Sequence, residues 1–230
     1  VDEKIIMPTV VLHQWDMSPY CNKVRRMLRH KDVDYSVVNY NGLMAARASK
    51  LSSVGKLPVL DWDGERIQDS SKIALFLDRK IAARPLYPLE RRALADARMW
   101  EDWAGQSLYF YEIYFRMLDA VPRERALDLI CEGRPRWERP VLSFVFKRRY
   151  PQKLKAQGLA AYPQAEVERM FFEKLEDLDV LLESREFLVG AEPCIADYSV
   201  VSQLDEIIRT CDFAPRILAY PRLRSWLERC

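Results

Sequence analysis

The stretch "SPYC", Ser18 to Cys21, places a hydroxyl, a phenol and a thiol together between an apolar run, "TVVLHQW" (9–15), and a basic amphipathic run, "NKVRRMLRHK" (22–31). A Ser directly before a Pro is a helix start. The hydroxyl caps a free amide, and Pro fits the first turn because its missing N–H is not needed there. That role accounts for Ser18 and Pro19 without any chemistry. A hydroxyl at a helix mouth has a second use: an O–H donor and the positive end of the helix dipole together stabilise an anion such as a thiolate. Cys21 sits in the same first turn, where the dipole can lower a thiol pKa. It also lies three residues before Val24 and seven before Leu28, on the stripe expected to be buried, so small apolar filler is the favoured reading. Tyr20 reads as a ring packed at a domain boundary. Either side chain becomes an alternative catalytic group if it faces a ligand, and a cysteine there would form mixed disulfides.

Two later segments supply partners for such an anion. In "GKLPVL" (55–60) Pro58 opens a strand, which suits a sheet edge or a cis bond that turns the Leu57 backbone outward. Leu57 can then offer its N–H and C=O to an extended, peptide-like ligand. "QDSSKI" (68–73) opens a helix with an acid and a hydroxyl, so the free amides beside Ser70 attract a carboxylate while Asp69 meets an ammonium. Lys56 is placed to reach a second carboxylate. A zwitterionic head, a central thiol and a carboxylate tail describe glutathione.

The elements that must hold these residues follow from periodicity. "TVVLHQW" reads as a strand and Pro19 to about Lys31 as a helix. "DYSVVNY" (34–40) is a second strand and "GLMAARASKL" a short helix, followed by a loop, "SSVGK". "LPVLDW" and "ERIQ" flank Asp63-Gly64, a dipeptide that favours a tight hairpin. "DSSKIALFLDRKIA" is a helix with Ile73, Phe76, Leu77 and Ile81 on one stripe. Beyond it "AARPLYPLERR" has two prolines and no clean period, and strand signals stop. The expected organisation is an α/β domain over 1–83, a linker over 84–90 and an all-α domain over 91–230. The helical part is led by "RALADARMWEDWAGQSLYFYEIYFRML" and "QAEVERMFFEKLEDLDVLLES", with two shorter helices near "IADYSVVSQLDEIIRT" and "YPRLRSWLERC".

Bulk properties exclude several classes. In 230 residues, 36 Lys plus Arg nearly balance 34 Asp plus Glu and are scattered, unlike a nucleic-acid binder. No apolar run nears the ~20 residues needed to span a bilayer. "VDEKIIMPTVVL" lacks the basic and apolar regions of a signal peptide. Five dispersed cysteines without C-x-x-C suggest free thiols in a reducing cytoplasm, and two histidines make a metal site unexpected.

With "SPYCNKVR", "GKLPVL", "QDSSKIALFL", "FLVGAEPCIADYSV" and "YPRLRSWLER" in order along nearly the full length, the chain resembles the cytosolic glutathione transferases. The resemblance implies a thioredoxin-like βαβαββα domain that binds glutathione as co-substrate, and an all-helical domain that supplies much of the pocket for a small hydrophobic electrophile. It implies that Ser18 acts on the thiol, that Leu57 precedes a cis-proline, Pro58, that Asp69 and Ser70 hold the γ-glutamyl group, and that Lys56 meets the glycyl end. The electrophile pocket is expected to draw on Trp103, Tyr109, Tyr111 and Tyr114, with Trp100 nearby, although core packing is the default for each. Asp69 is one methylene shorter than the family's usual Glu. Cys194 stands where an N-cap Ser or Thr is usual, three residues before Asp197, and a thiol is a poor acceptor. "KRRYPQKLKAQGLAAY" lengthens the helical domain. A homodimer is the expected assembly, with no metal, no nucleic acid and no membrane as partners. The alternatives are a glutathione-dependent thiol transferase, reductase or isomerase, or a non-catalytic scaffold resembling stringent starvation protein A.

Overall fold

β1 (Val10–Gln14) buries Val10, Leu12 and Gln14 and leaves the residues between them half-covered, as expected of a strand with one face on a core. In the computed structural model, which describes residues 8–230, the sheet order is β2-β1-β3-β4. The segment on which the signal-peptide expectation mainly rests lies outside the described residues. β2 (Ser36–Asn39) runs parallel to β1, whereas β3 (Val59–Trp62) is antiparallel to β1 and β4 (Glu65–Gln68) antiparallel to β3. Asp63 (φ 49°) and Gly64 (φ 86°) make the hairpin turn, both with the positive φ that this dipeptide favours. β2 is an edge strand with all four residues exposed.

α1 (Pro19–His30) buries Cys21, Val24, Met27 and Leu28 completely, and α2 (Ser70–Lys80) buries Ile73, Ala74, Phe76 and Leu77. The segment Gly42–Lys50 folds as a 3₁₀ helix. Its first amide-bearing turn is capped from far away in sequence, the Leu43 amide donating to Glu138 Oε2 at 2.8 Å. Gly42 has φ 62°, and a side chain there would run into the Glu138 carboxylate, so only glycine allows this approach.

From Arg91 onward the chain is helical: α3 (Arg91–Trp103), α4 (Tyr109–Leu118), α5 (Ala120–Ile130), α6 (Glu138–Gln157), α7 (Gln164–Leu181), α8 (Ile195–Thr210), α9 (Ala214–Ile217) and α10 (Pro221–Arg229). No helix among the described residues is long and apolar enough to cross a membrane. The segment expected as one long helix is divided into α3 and α4 by a π-helical turn, Ala104–Leu108. The helices α5, α6 and α9 add to those expected. α6 buries Leu142, Phe146 and Leu154 on one face while Val141, Phe144 and Val145 stand exposed, so apolar residues lie on both sides and no single stripe marks the helix. Pro151 lies inside it.

α8 is the axis of the helical part and packs against α1, α3 and α4. The buried carboxylate of Asp197 in its first turn accepts from the amides of Leu188 and Cys194 at 2.9 Å and from Trp226 Nε1 at 2.8 Å. One side chain thereby ties α8 to the preceding loop and to α10. The weak cap expected of Cys194 is compensated by this acid.

Candidate active site

Sheet register gathers the candidate residues. His13, near the end of β1, pairs with Val59, the first residue of β3, and Val59 pairs with Gln68, the last residue of β4. The chain leaving β1 toward Ser18, the chain entering β3 through Lys56, Leu57 and Pro58, and the chain leaving β4 into Asp69 and Ser70 therefore emerge at the same end of the sheet. The Leu57–Pro58 peptide is cis, and the Asp69 amide donates to the Pro58 carbonyl at 3.4 Å.

Ser18 is the N-cap of α1, in extended conformation (φ −87°, ψ 123°) and 7% exposed. Its Oγ accepts from the Cys21 amide at a long 3.4 Å. Among the described residues its hydroxyl proton has no acceptor, so the donor remains available to an anion at the helix mouth. Neither the N–H nor the C=O of Leu57 makes a hydrogen bond among the described residues. The Lys56 backbone, by contrast, is fixed by Ser52 Oγ, which lies 3.3 Å from its amide and 3.2 Å from its carbonyl. The Lys56 side chain is exposed and has no ion-pair partner among the described residues.

Asp69 caps α2, Oδ1 accepting from the amides of Ser71 (3.0 Å) and Lys72 (3.2 Å). Its φ of 79° is unfavourable for a side-chain-bearing residue, a strain of the kind found where function constrains the backbone. Oδ2 is left unpartnered among the described residues, as are the amide and hydroxyl of Ser70.

Beneath this turn lies a cluster the sequence reading missed. Glu101 of α3 accepts from Lys23 Nζ (2.5 Å), Ser71 Oγ (2.6 Å) and Tyr87 OH (2.7 Å), joining α1, α2 and α3. Burial opposes its ionisation, but the Lys23 ammonium and the hydrogen-bond donors outweigh that and hold the carboxyl below the usual range. The only sequence signal was an acid inside an aromatic stretch, "MWEDW".

The alternative groups are otherwise engaged. Cys21 is fully buried, accepts from the Trp15 amide at 3.4 Å, and burial pushes its thiol up to about 11. Full burial and a raised pKa both disfavour this thiol as a nucleophile at neutral pH. Tyr20 donates its phenolic proton to the Gly105 carbonyl in the π turn at 2.8 Å, and its ring lies 5.4 Å from that of Tyr109. Burial raises its pKa further. The four expected pocket aromatics separate. Tyr109 is beside Tyr20, and Trp103 packs edge-on against Trp100. Tyr114 is 6% exposed and packed on Phe115. Tyr111 is 4% exposed, stacked on Phe115 and tilted against Phe171, and lines a separate cleft of about 490 Å³ with Phe110, Tyr162 and Met170.

Residues 12–85 match a family model described as the glutathione S-transferase N-terminal domain. Among known proteins, "Failed axon connections" of Drosophila melanogaster is 28% identical over 234 residues, covering 93% of this chain and 51% of that protein, about half its length. The isoprene-epoxide–glutathione S-transferase of Rhodococcus sp. (strain AD45) is 26% identical over 195 residues, covering 84% of this chain and 81% of the relative. A glutathione S-transferase from Methylobacillus flagellatus KT, solved with glutathione bound, superposes with a TM-score of 0.60 at 21% identity, covering 96% of this chain and 94% of the other.

Proposed function

We propose that this chain, a member of the glutathione S-transferase superfamily, binds glutathione along the sheet end described above and uses Ser18 to hold its sulfur as a thiolate. The observation that carries the reading is the uncommitted Ser18 hydroxyl proton at the N-terminus of α1. An unperturbed thiol with a pKa near 8.5 is about 3% ionised at pH 7, and lowering that pKa by about two units takes ~2.7 kcal/mol. A hydrogen bond to a charged acceptor contributes roughly 1.5–3 kcal/mol, and the helix dipole adds to it. Ser18 therefore acts as a donor to the anion. The sulfur then attacks an electrophilic carbon, forming a C–S bond, and the leaving group departs with its electron pair.

Leu57 would pair its backbone N–H and C=O with the cysteinyl residue of the tripeptide. The Ser70 amide and hydroxyl would take the γ-glutamyl carboxylate, Asp69 Oδ2 the ammonium, and Lys56 the glycyl carboxylate. The burial of Cys21 counts against the thiol-transferase alternative, because mixed-disulfide chemistry needs an accessible thiolate. We also propose a two-fold dimer. Leu75 on α2 and Met99 on α3 are exposed apolar side chains of the kind such an interface would cover.

Calorimetric titration with glutathione tests the reading, and saturable binding at one tripeptide per chain is the expected result. Absence of binding would overturn it. Asp69→Asn should weaken binding about tenfold, since the variant loses the charge that meets the ammonium. Asn remains a good N-cap and tolerates positive φ, so the melting temperature should hold. An aryl halide, a hydroperoxide and a disulfide, tried in turn, then separate conjugation from peroxidase and thiol-transferase turnover. A chain that binds glutathione but turns over none of them would match the scaffold alternative.

A further inference from the structure

The loop that delivers Ser18 is held by arginines from three helices. Arg116 of α4 is 2% exposed, and its Nη1 donates to the Met17 carbonyl at 2.9 Å, across 99 residues of sequence. The same guanidinium pairs with Glu112 Oε1 at 2.5 Å and with Glu206 Oε2 of α8 at 3.4 Å. One residue earlier, Arg209 of α8 donates to Asp16 Oδ2 at 2.6 Å, and Arg25 of α1 approaches the Asp16 carbonyl at 3.3 and 3.4 Å. Ser18 follows directly, its amide on the Trp15 carbonyl at 2.9 Å.

The composition of this cluster is costly for a core. Two buried carboxylates flank one buried guanidinium, and a second guanidinium, Arg209, reaches Glu206 Oε1 only at 3.9 Å. Burial pushes the Glu112 carboxyl up to about 8, against the pull of Arg116, and Lys153 and Tyr150 of α6 and Tyr109 of α4 face the same group. Apolar side chains of similar volume would stabilise such a site as well or better, so buried ions are more readily explained by a position they specify. The position specified here is the peptide that precedes Ser18.

We infer that Arg116 is a positioning residue for Ser18: through the Met17 carbonyl it fixes the Met17–Ser18 peptide so that the hydroxyl faces the helix mouth, with Arg209 bracing Asp16 from the same side. The inference rests on the reading of Ser18 given above. Because Nη1 donates to the Met17 carbonyl and to Glu206 while Nη2 forms the ion pair with Glu112, Lys would keep the charge but not this spread of contacts.

The test is the ionisation of glutathione bound to the full chain, followed by the ultraviolet absorbance of the thiolate as pH is varied. Affinity is measured in parallel by calorimetry. The wild-type chain should show a bound-thiol pKa well below that of free glutathione. Arg116→Gln should leave the dissociation constant within about threefold and raise the bound-thiol pKa by about half to one unit, with Arg116→Lys in between. Since Arg116 is buried and its loss endangers folding, Arg209→Ala, at a partly exposed site, should move the pKa in the same direction by less. If the wild-type pKa is depressed but neither Arg209→Ala nor any folded Arg116 variant moves it, Arg116 is structural only and the inference is overturned. If the wild-type bound thiol is not depressed at all, the Ser18 reading itself fails, and this inference with it.

Discussion

Ser18→Ala is expected to lower conjugation turnover by about 10- to 100-fold while changing glutathione affinity by less than about threefold. The asymmetry follows from where the hydroxyl acts. Most of the tripeptide's contacts would be to Leu57, Asp69, Ser70 and Lys56, none of which the substitution touches. What is lost is a donor to the charged sulfur, and that donor matters in proportion to the thiolate present. Steady-state kinetics with an aryl halide, alongside calorimetry, separates the two quantities, and raising the pH should recover part of the rate by ionising the thiol without help. The helix cap is a second function of the same oxygen, but at 3.4 Å its bond to the Cys21 amide is long, so the loss of stability should stay near the low end of the ~0.5–2 kcal/mol typical for N-caps. Unchanged turnover in a folded Ser18→Ala chain would remove Ser18 from the chemistry.

Asp197→Ala should be the more severe change for the fold. Its carboxylate satisfies the Leu188 amide, the Cys194 amide and the Trp226 indole, all in fully or nearly fully buried surroundings. Removing it strands three donors at roughly 1–3 kcal/mol each, so a loss of at least about 3 kcal/mol is expected. Against a total stability of about 5–15 kcal/mol, that is enough to unfold much of the population under mild denaturant. Asp197→Asn keeps one acceptor oxygen and should fall between the two. Urea unfolding followed by tryptophan fluorescence reads the shift in midpoint directly, and a midpoint unchanged by Asp197→Ala would mean that water replaces the carboxylate at all three donors.

Local signals in the chain carried much of this architecture. Asp63-Gly64 announced its hairpin because few other dipeptides accept two positive φ angles, and Cys21 was legible as core because it shares a helical stripe with Val24 and Leu28. Ser18, Leu57, Asp69 and Ser70 were legible as a set through their order and the resemblance. α6 was not, since apolar residues on opposite faces cancel the periodicity by which a helix is found. Glu101 and Arg116 were not legible for another reason. A lone charge reads as solvated until its partner is known, and their partners include Lys23 and Met17, 78 and 99 residues away.

The π turn at Ala104–Leu108 bears on how such a chain tolerates insertions and deletions. A π turn is a helix carrying one surplus residue, and here the widened backbone presents the Gly105 carbonyl to Tyr20. Regularising that turn to α-helix while keeping the surplus residue would swing everything after it by ~100° about the axis, whereas deleting the residue would leave the phase nearly unchanged. In the regularised case Glu112 and Arg116 would turn away from α8 and from the Met17 carbonyl together. The π turn, by taking up one residue more than an α turn does, thus holds the rotational phase between the arm that grips the N-terminal domain and the helix that carries it.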